Sequence, residues 1–171
     1  MVRFLIPFLA LATTLMVGCT GKSADSKIPE PDSKIPERPR AALEKADQFE
    51  LLSIDPHRQQ EMTKDDFHGW KVLGKTQIKD ADTRKKLVAA LKKGVGENDG
   101  TVAACFNPRH GIRATHEGKT MDFVICFECL QVQVYADEKR DGGFLTTGSP
   151  QPVFDQVLRE AGVPLAEAAK K

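Results

Sequence analysis

Alternating apolar and polar positions predict β-strands in three parts of the chain after residue 47. Residues 48–54 form the first, and residues 70–79 form a clearer one. In the second, Trp70, Val72, Thr76 and Ile78 share one parity while Lys71, Lys75, Gln77 and Lys79 share the other, which is typical of a half-buried strand. Gly74 interrupts this strand and predicts a β-bulge. The third part, residues 101–135, predicts the centre of the sheet.

A tight hairpin is predicted at Glu117-Gly118. A two-residue loop there fixes the register of the two flanking strands. It pairs Arg113 with Asp122, Ile112 with Phe123, and Ala114 with Met121. Because this register joins opposite charges on one face and apolar side chains on the other, charge and packing support it together.

Helical spacing predicts two well-marked helices and a short one at residues 41–46. Asp80 caps the first of the two well-marked helices, and Gly94 or Gly96 ends it. Ser149 caps the second, Pro150 takes its first position, and Gly162 ends it. The order of elements predicts an α+β fold, a mainly antiparallel sheet of about five strands with two helices packed on one face.

The first eighteen residues have the pattern of a secretory signal. Arg3 is followed by an uncharged, mostly apolar run over residues 4–18, too short for a membrane span of roughly 20 residues. Gly18 before Cys19 resembles the lipobox of bacterial lipoprotein precursors. That resemblance implies cleavage before Cys19 and acyl chains, such as palmitate, on the cysteine. Ordinary cleavage, or an uncleaved signal anchor, are the alternatives.

The residue after Cys19 bears on the address of the protein. In the lipoprotein family an aspartate at this position favours the inner membrane, and here it is Thr20. The resemblance therefore implies the outer membrane of the bacterial cell envelope, with the chain facing the periplasm. We expect the chain to bind the membrane through its covalent lipid. A protein of the envelope is a further possible partner, and the sequence does not identify it.

A proline-rich tether is predicted over residues 19–40. Two consecutive heptads, residues 25–31 and 32–38, match at six of seven positions. Because proline blocks helix and the charged residues keep the segment solvated, we interpret it as an extended stalk. The sequence thus predicts a signal peptide at 1–18, a lipidated tether at 19–40 and one α+β domain at 41–171.

The charge balance gives no indication of a nucleic-acid partner, and we expect none. Removing residues 1–18 from the 171 leaves 153 and takes away Arg3 but no acid. The 25 Lys and Arg become 24, equal to the 24 Asp and Glu. Nucleic-acid binding would call for a basic patch.

The candidate chemistry lies in Cys105, His110, Cys126 and Cys129. A tetrahedral zinc site is one interpretation, since zinc prefers thiolate and imidazole ligands and a two-residue gap between cysteines is usual. It requires a turn at Phe127-Glu128, because residues three apart in a strand face opposite ways. A disulfide from Cys105 to Cys126 or Cys129, a redox Cys-x-x-Cys pair, and buried free thiols are the alternatives.

No catalytic residue is predicted. No Gly-x-Ser-x-Gly elbow is present, no carboxylate is paired with a base, and we expect His57, His68 and His116 to be solvated. The cysteine segments resemble small uncharacterised bacterial lipoproteins, which implies no activity. We expect a structural or binding role, with the cysteine cluster stabilising the domain. The alternative is a thiol- or metal-dependent envelope enzyme that uses Cys126 and Cys129.

Overall fold

The structure, a computed structural model, describes residues 34–58, 61 and 63–167. The predicted signal peptide, Cys19 and most of the predicted tether lie outside these residues. The described chain forms three helices and six strands. They are α1 (Glu37–Lys45), β1 (Gln48–Arg58), β2 (Trp70–Gln77), α2 (Ala81–Glu97), β3 (His110–His116), β4 (Lys119–Cys126), β5 (Gln131–Ala136), β6 (Lys139–Leu145) and α3 (Gln151–Glu160).

The strands form one antiparallel sheet in the order β2-β1-β3-β4-β5-β6. The α+β class and the antiparallel sheet are therefore confirmed, whereas the described residues contain six strands and three helices rather than about five and two. The additional strand is β6, of which the first five residues are exposed. An exposed edge strand has no buried face to impose alternation, so its sequence gives no strand signal.

The predicted hairpin is confirmed residue for residue. Arg113 pairs with Asp122, Ile112 with Phe123, and Ala114 with Met121. Glu117 and Gly118 both have positive φ, 50° and 73°, as a two-residue turn of this kind requires. The same register extends to His110, which lies opposite Ile125.

One face of the sheet and all three helices enclose the main core. Phe49, Phe123 and Ile125 from the strands pack with Leu43 of α1, and the apolar sides of the other two helices complete the cluster. Those helical residues are Leu87, Val88, Leu91 and Val95 of α2, and Phe154, Val157 and Leu158 of α3. The expectation that helices cover a single face is thereby met.

A bulge in β2 changes which face its side chains occupy. Ser53 pairs with Gly74, but the next residue, Ile54, pairs with Val72, so one residue of β2 is extra at this point. Beyond it, Trp70 and Val72 join a second cluster on the helix-free face, while Ile78 packs against the main core. The bulge expected at Gly74 is present. The expectation that Trp70, Val72, Thr76 and Ile78 share a face is wrong.

The glycines of α2 do not end the helix. It continues through Gly94 and Gly96 to Glu97. A Cβ at Gly94 would lie 2.7 Å from Thr146 Oγ1, so this glycine permits the helix to approach the chain before α3. Ser149 does not cap α3 either, because its hydroxyl donates to Glu97 Oε2 at 2.7 Å.

The folded body begins before the predicted domain boundary. Helix α1 starts at Glu37 rather than near Ala41. Ile35 is only 2% exposed and belongs to the main core. Lys34 donates to Asn98 O at 2.6 Å. Residues at the end of the predicted tether thus pack on the domain.

The opposite face of the sheet carries a smaller core covered by loops. Leu52, Ile54 and Val124 from the strands pack with Phe67 and Trp70, with Phe106 against them. Gly111 permits this arrangement, because a Cβ there would lie 2.7 Å from the Phe67 ring. Among the described helices, none has the length and apolar character needed to span a membrane.

Candidate functional site

The turn between β4 and β5 brings Cys126 and Cys129 together. Residues 127–130 form the turn, and Leu130 adopts a left-handed φ of 60°. The backbone N–H of Cys129 donates to Cys126 Sγ at 3.1 Å. The turn that the metal interpretation required at Phe127-Glu128 is therefore present.

The irregular segment after α2, residues 98–109, brings Cys105 to the same place. Ala103 N–H donates to Cys129 O at 3.2 Å, and the Gln131 side chain donates to Ala103 O at 2.7 Å. Cys105 Sγ then lies 2.7 Å from Cys129 Sγ. Asn107 N–H donates to Cys129 Sγ at 3.3 Å. The three cysteines expected to converge do converge.

The sulfur atoms of Cys105 and Cys129 lie closer together than two thiolates that share one zinc ion. Two thiolates on one tetrahedral zinc, each at about 2.3 Å, lie roughly 3.8 Å apart, and these sulfur atoms are closer at 2.7 Å. Within residues 34–58, 61 and 63–167, no three His, Cys, Asp or Glu side chains are arranged to hold a metal ion. Both thiols are in the free form in this structure.

The environment of the thiols favours their protonated form. Burial raises the pKa of Cys126 and of Cys129 above the usual value. The pKa of Cys105 is raised chiefly by its hydrogen bond with Cys129. Since the thiolate is the nucleophile in cysteine chemistry, this set is not an activated one.

His110 does not join the cysteines. Its Nε2 lies 2.8 Å from Asp155 Oδ1 on α3, and its side chain is 3% exposed. The ring packs between Phe127 and Phe154, with centroids 5.2 and 5.8 Å away. Burial by itself would raise the pKa of Asp155, but the hydrogen bond and charge of His110, together with the Arg159 charge and a hydrogen bond from Gln151, lower the pKa below its usual value. His110, the fourth ligand of the predicted zinc set, is thus bound to a carboxylate on the helical side of the sheet.

His68 belongs to a buried charge network that the sequence did not suggest. Its Nε2 lies 2.8 Å from Asp122 Oδ2, and its side chain is 4% exposed, so the expectation that it is solvated is wrong. Its ring stacks on Tyr135 at 3.8 Å. Arg113 donates to both carboxylate oxygens of Asp122, at 2.9 and 2.7 Å. His68 and Asp122 are 54 positions apart, so no local spacing could reveal the pair.

A groove of about 620 Å³ lies on the helix-free face. The rings of Trp70, Phe106 and Tyr135 contribute to its walls, and Arg58 and Arg140 are among its cationic residues. Phe106 is adjacent to Cys105, so the cysteine contact also positions one wall. The groove has the size of a site for a small molecule.

No protein-family model, curated protein or solved structure matches the chain. Its function is therefore inferred from these side chains.

Proposed function

We propose that this chain is a lipid-anchored binding protein of the bacterial cell envelope, and that its helix-free sheet face is the binding surface. Cys19 carries the lipid, and the proline-rich segment holds the domain away from the outer membrane. A disulfide between Cys105 and Cys129 stabilises the segment that borders the groove. The anchor follows from the sequence around Cys19, the disulfide from the 2.7 Å contact between Cys105 Sγ and Cys129 Sγ, and the binding role, which is the core of the proposal, from the single observation of the aromatic and cationic groove.

The proposed disulfide suits both the compartment and the fold. Exported proteins meet an oxidising environment in which disulfides form and persist. The link would join residues 24 positions apart, which on the loop-closure model contributes about 3 kcal/mol to the free energy of unfolding. It would fasten the segment that carries Phe106 and Asn107 to the β4–β5 turn. Cys126 would remain a buried thiol.

Binding is favoured over catalysis by the state of the reactive groups. The one thiol that the proposed disulfide leaves is Cys126, and burial raises its pKa, which argues against the thiol-enzyme alternative. The imidazole of His110 is held by Asp155 and is buried away from the groove. The groove, in contrast, is open and lined by aromatic and cationic side chains.

The test uses the full chain expressed in a Gram-negative bacterium. We expect it in the outer-membrane fraction, with lipid mass on a peptide that begins at Cys19. When the purified chain is unfolded without reductant, we expect one titratable thiol, Cys126, and after reduction three. The variant Cys19→Ala should accumulate as the uncleaved precursor without lipid, with the other cysteines unchanged.

Each part of this proposal has its own contrary result. A processed chain that stays in the aqueous fraction without added lipid mass would refute the anchor. Three titratable thiols before reduction would refute the disulfide. One equivalent of zinc in the purified chain would favour the metal interpretation of the cysteine cluster instead.

A further inference from the structure

We propose that the groove on the helix-free face binds a carboxylate-bearing sugar unit, such as a hexuronate within an envelope glycan. This inference rests on the proposed binding function and names its ligand. Three groups of groove residues match three parts of such a ligand: aromatic rings match the apolar face of the sugar, amides match its hydroxyls, and arginines match its carboxylate.

The aromatic side chains form rigid walls. The rings of Trp70 and Phe106 meet at an interplanar angle of 62° with centroids 6.0 Å apart, so they form an angled corner. Tyr135 is held by the stacked ring of His68. A saturated pyranose ring has a flat C–H face that packs on aromatic carbon, and pre-positioned rings reduce the entropy lost on binding.

The arginines give the groove an anion preference. Arg58 lies over the Trp70 ring, with Cζ 5.9 Å from the centroid, and Arg140 borders the same groove. None of the groove residues that the structure describes is acidic. A planar guanidinium matches a carboxylate through two parallel hydrogen bonds.

The nearest acids are already occupied. Asp55 accepts from the backbone and ring of His57, at 2.8 and 2.9 Å. Glu138 lies 3.7 Å from Arg113 and 3.8 Å from His68. These two carboxylates thus have partners of their own, and Arg58 and Arg140 are the arginines that border the groove.

Two amide side chains supply neutral hydrogen bonds. Gln133 accepts from the Tyr135 hydroxyl at 3.0 Å through its oxygen, which directs its amide nitrogen as a donor. Asn107 borders the groove on the segment held by Cys129. Hydroxyl groups are the ligand atoms that such amides recognise. Amide side chains also recognise nucleotide bases, so the experiment includes a nucleotide as the competing ligand.

The single tryptophan of the chain provides a specific readout, since Trp70 lies in the groove. The full chain in detergent is titrated with digalacturonic acid while Trp70 fluorescence is followed. We expect saturable binding, and about tenfold or weaker binding for the dimethyl ester, which lacks the charges. Arg58→Gln and Arg140→Gln should each weaken binding about tenfold. Arg159→Gln, an exposed arginine on α3, is the matched control and should bind like the native chain.

The outcomes separate this inference from the proposed function. Equal binding of the acid and its ester, or unchanged binding in both groove variants, would overturn the ligand assignment. Tighter saturable binding of adenosine monophosphate would also overturn it, in favour of a nucleotide. A membrane-anchored, disulfide-linked chain that gives no response to the sugar acid refutes the ligand alone. If the native chain, with Cys19 intact, binds the sugar acid but carries no lipid, only the anchor is refuted.

Discussion

Asp122 is the residue whose surroundings most clearly decide its state. It is 3% exposed and lies beneath Arg113 and His68. Burial alone would raise the pKa of its carboxyl group, but the hydrogen bonds from Arg113 and His68 outweigh burial and lower the pKa below the usual value. The carboxylate is therefore ionised in the folded chain at neutral pH, and a neutral amide in its place would leave only one acceptor oxygen for the two donor side chains.

We expect Asp122→Asn to lower the free energy of unfolding at pH 7 by about 2 kcal/mol. This is less than the roughly 3–5 kcal/mol for one partner of a fully buried pair, because Arg113 is 38% exposed and solvent screens it. Urea unfolding measures the change. Asp141→Asn removes an exposed partner of Arg38 and should change stability by less than about 0.5 kcal/mol.

The stability difference between the native chain and Asp122→Asn should depend on pH with a defined sign. The folded pKa of Asp122 lies below the unfolded value of about 3.9, so its contribution is present above that pH and is lost as the pH falls through the folded pKa. The difference between native and Asp122→Asn chains should therefore shrink below about pH 4. A difference that grows on acidification would contradict this assignment.

At the scale of elements, the glycines of α2 have opposite roles two positions apart. A Cβ on Gly94 would lie 2.7 Å from Thr146 Oγ1 and 2.5 Å from Pro150 Cγ, whereas one on Gly96 would meet nothing within 4 Å. Both residues are helical, so both would gain helix propensity from alanine. Only at Gly94 does the neighbouring chain oppose that gain.

Gly94→Ala should therefore lower the free energy of unfolding by about 1–3 kcal/mol through overpacking. Gly96→Ala should raise it by about 0.5–1 kcal/mol. Thermal unfolding of the two variants beside the native chain gives both signs in one experiment. If both variants are stabilised to the same extent, the close approach of α2 to residues 146–150 is absent.

These elements show what the sequence can and cannot predict. The β3–β4 register was predictable, because the Glu117-Gly118 turn, the Arg113–Asp122 pair and the apolar pairs all require the same alignment. The face reversal in β2 was not, because one inserted residue shifts the parity without changing the alternating pattern. Gly94 looked like a helix end because the residue that requires a glycine there, Thr146, comes 52 positions later in the chain.

The candidate site was likewise predictable only in part. Cys105, Cys126 and Cys129 could be brought together from the sequence, since neighbouring strands carry or border them. The partner of His110 could not be found, because Asp155 comes from a helix whose packing angle no local pattern fixes. The groove depends on Trp70 facing away from the helices, and that orientation follows from the bulge.

At the scale of the whole molecule, the segment before α1 belongs to the folded body. Ile35 is 2% exposed in the main core, and Lys34 bonds to the carbonyl at the end of α2. A chain that begins at residue 41 should therefore lose about 2–4 kcal/mol of unfolding free energy relative to one that begins at residue 34. Urea unfolding of the two chains measures this, and equal midpoints and slopes would show that residues 34–40 contribute nothing.

Both outer strands of the sheet carry features that resist pairing with another molecule. β6 opens with Lys139, Arg140 and Asp141, exposed charges, and the register between β5 and β6 is irregular. β2 carries exposed lysines and its own bulge. Charges and irregular spacing make a poor template for an incoming strand. Under the proposed lipid anchoring, copies crowded onto one membrane surface would thus not build continuous sheets from molecule to molecule.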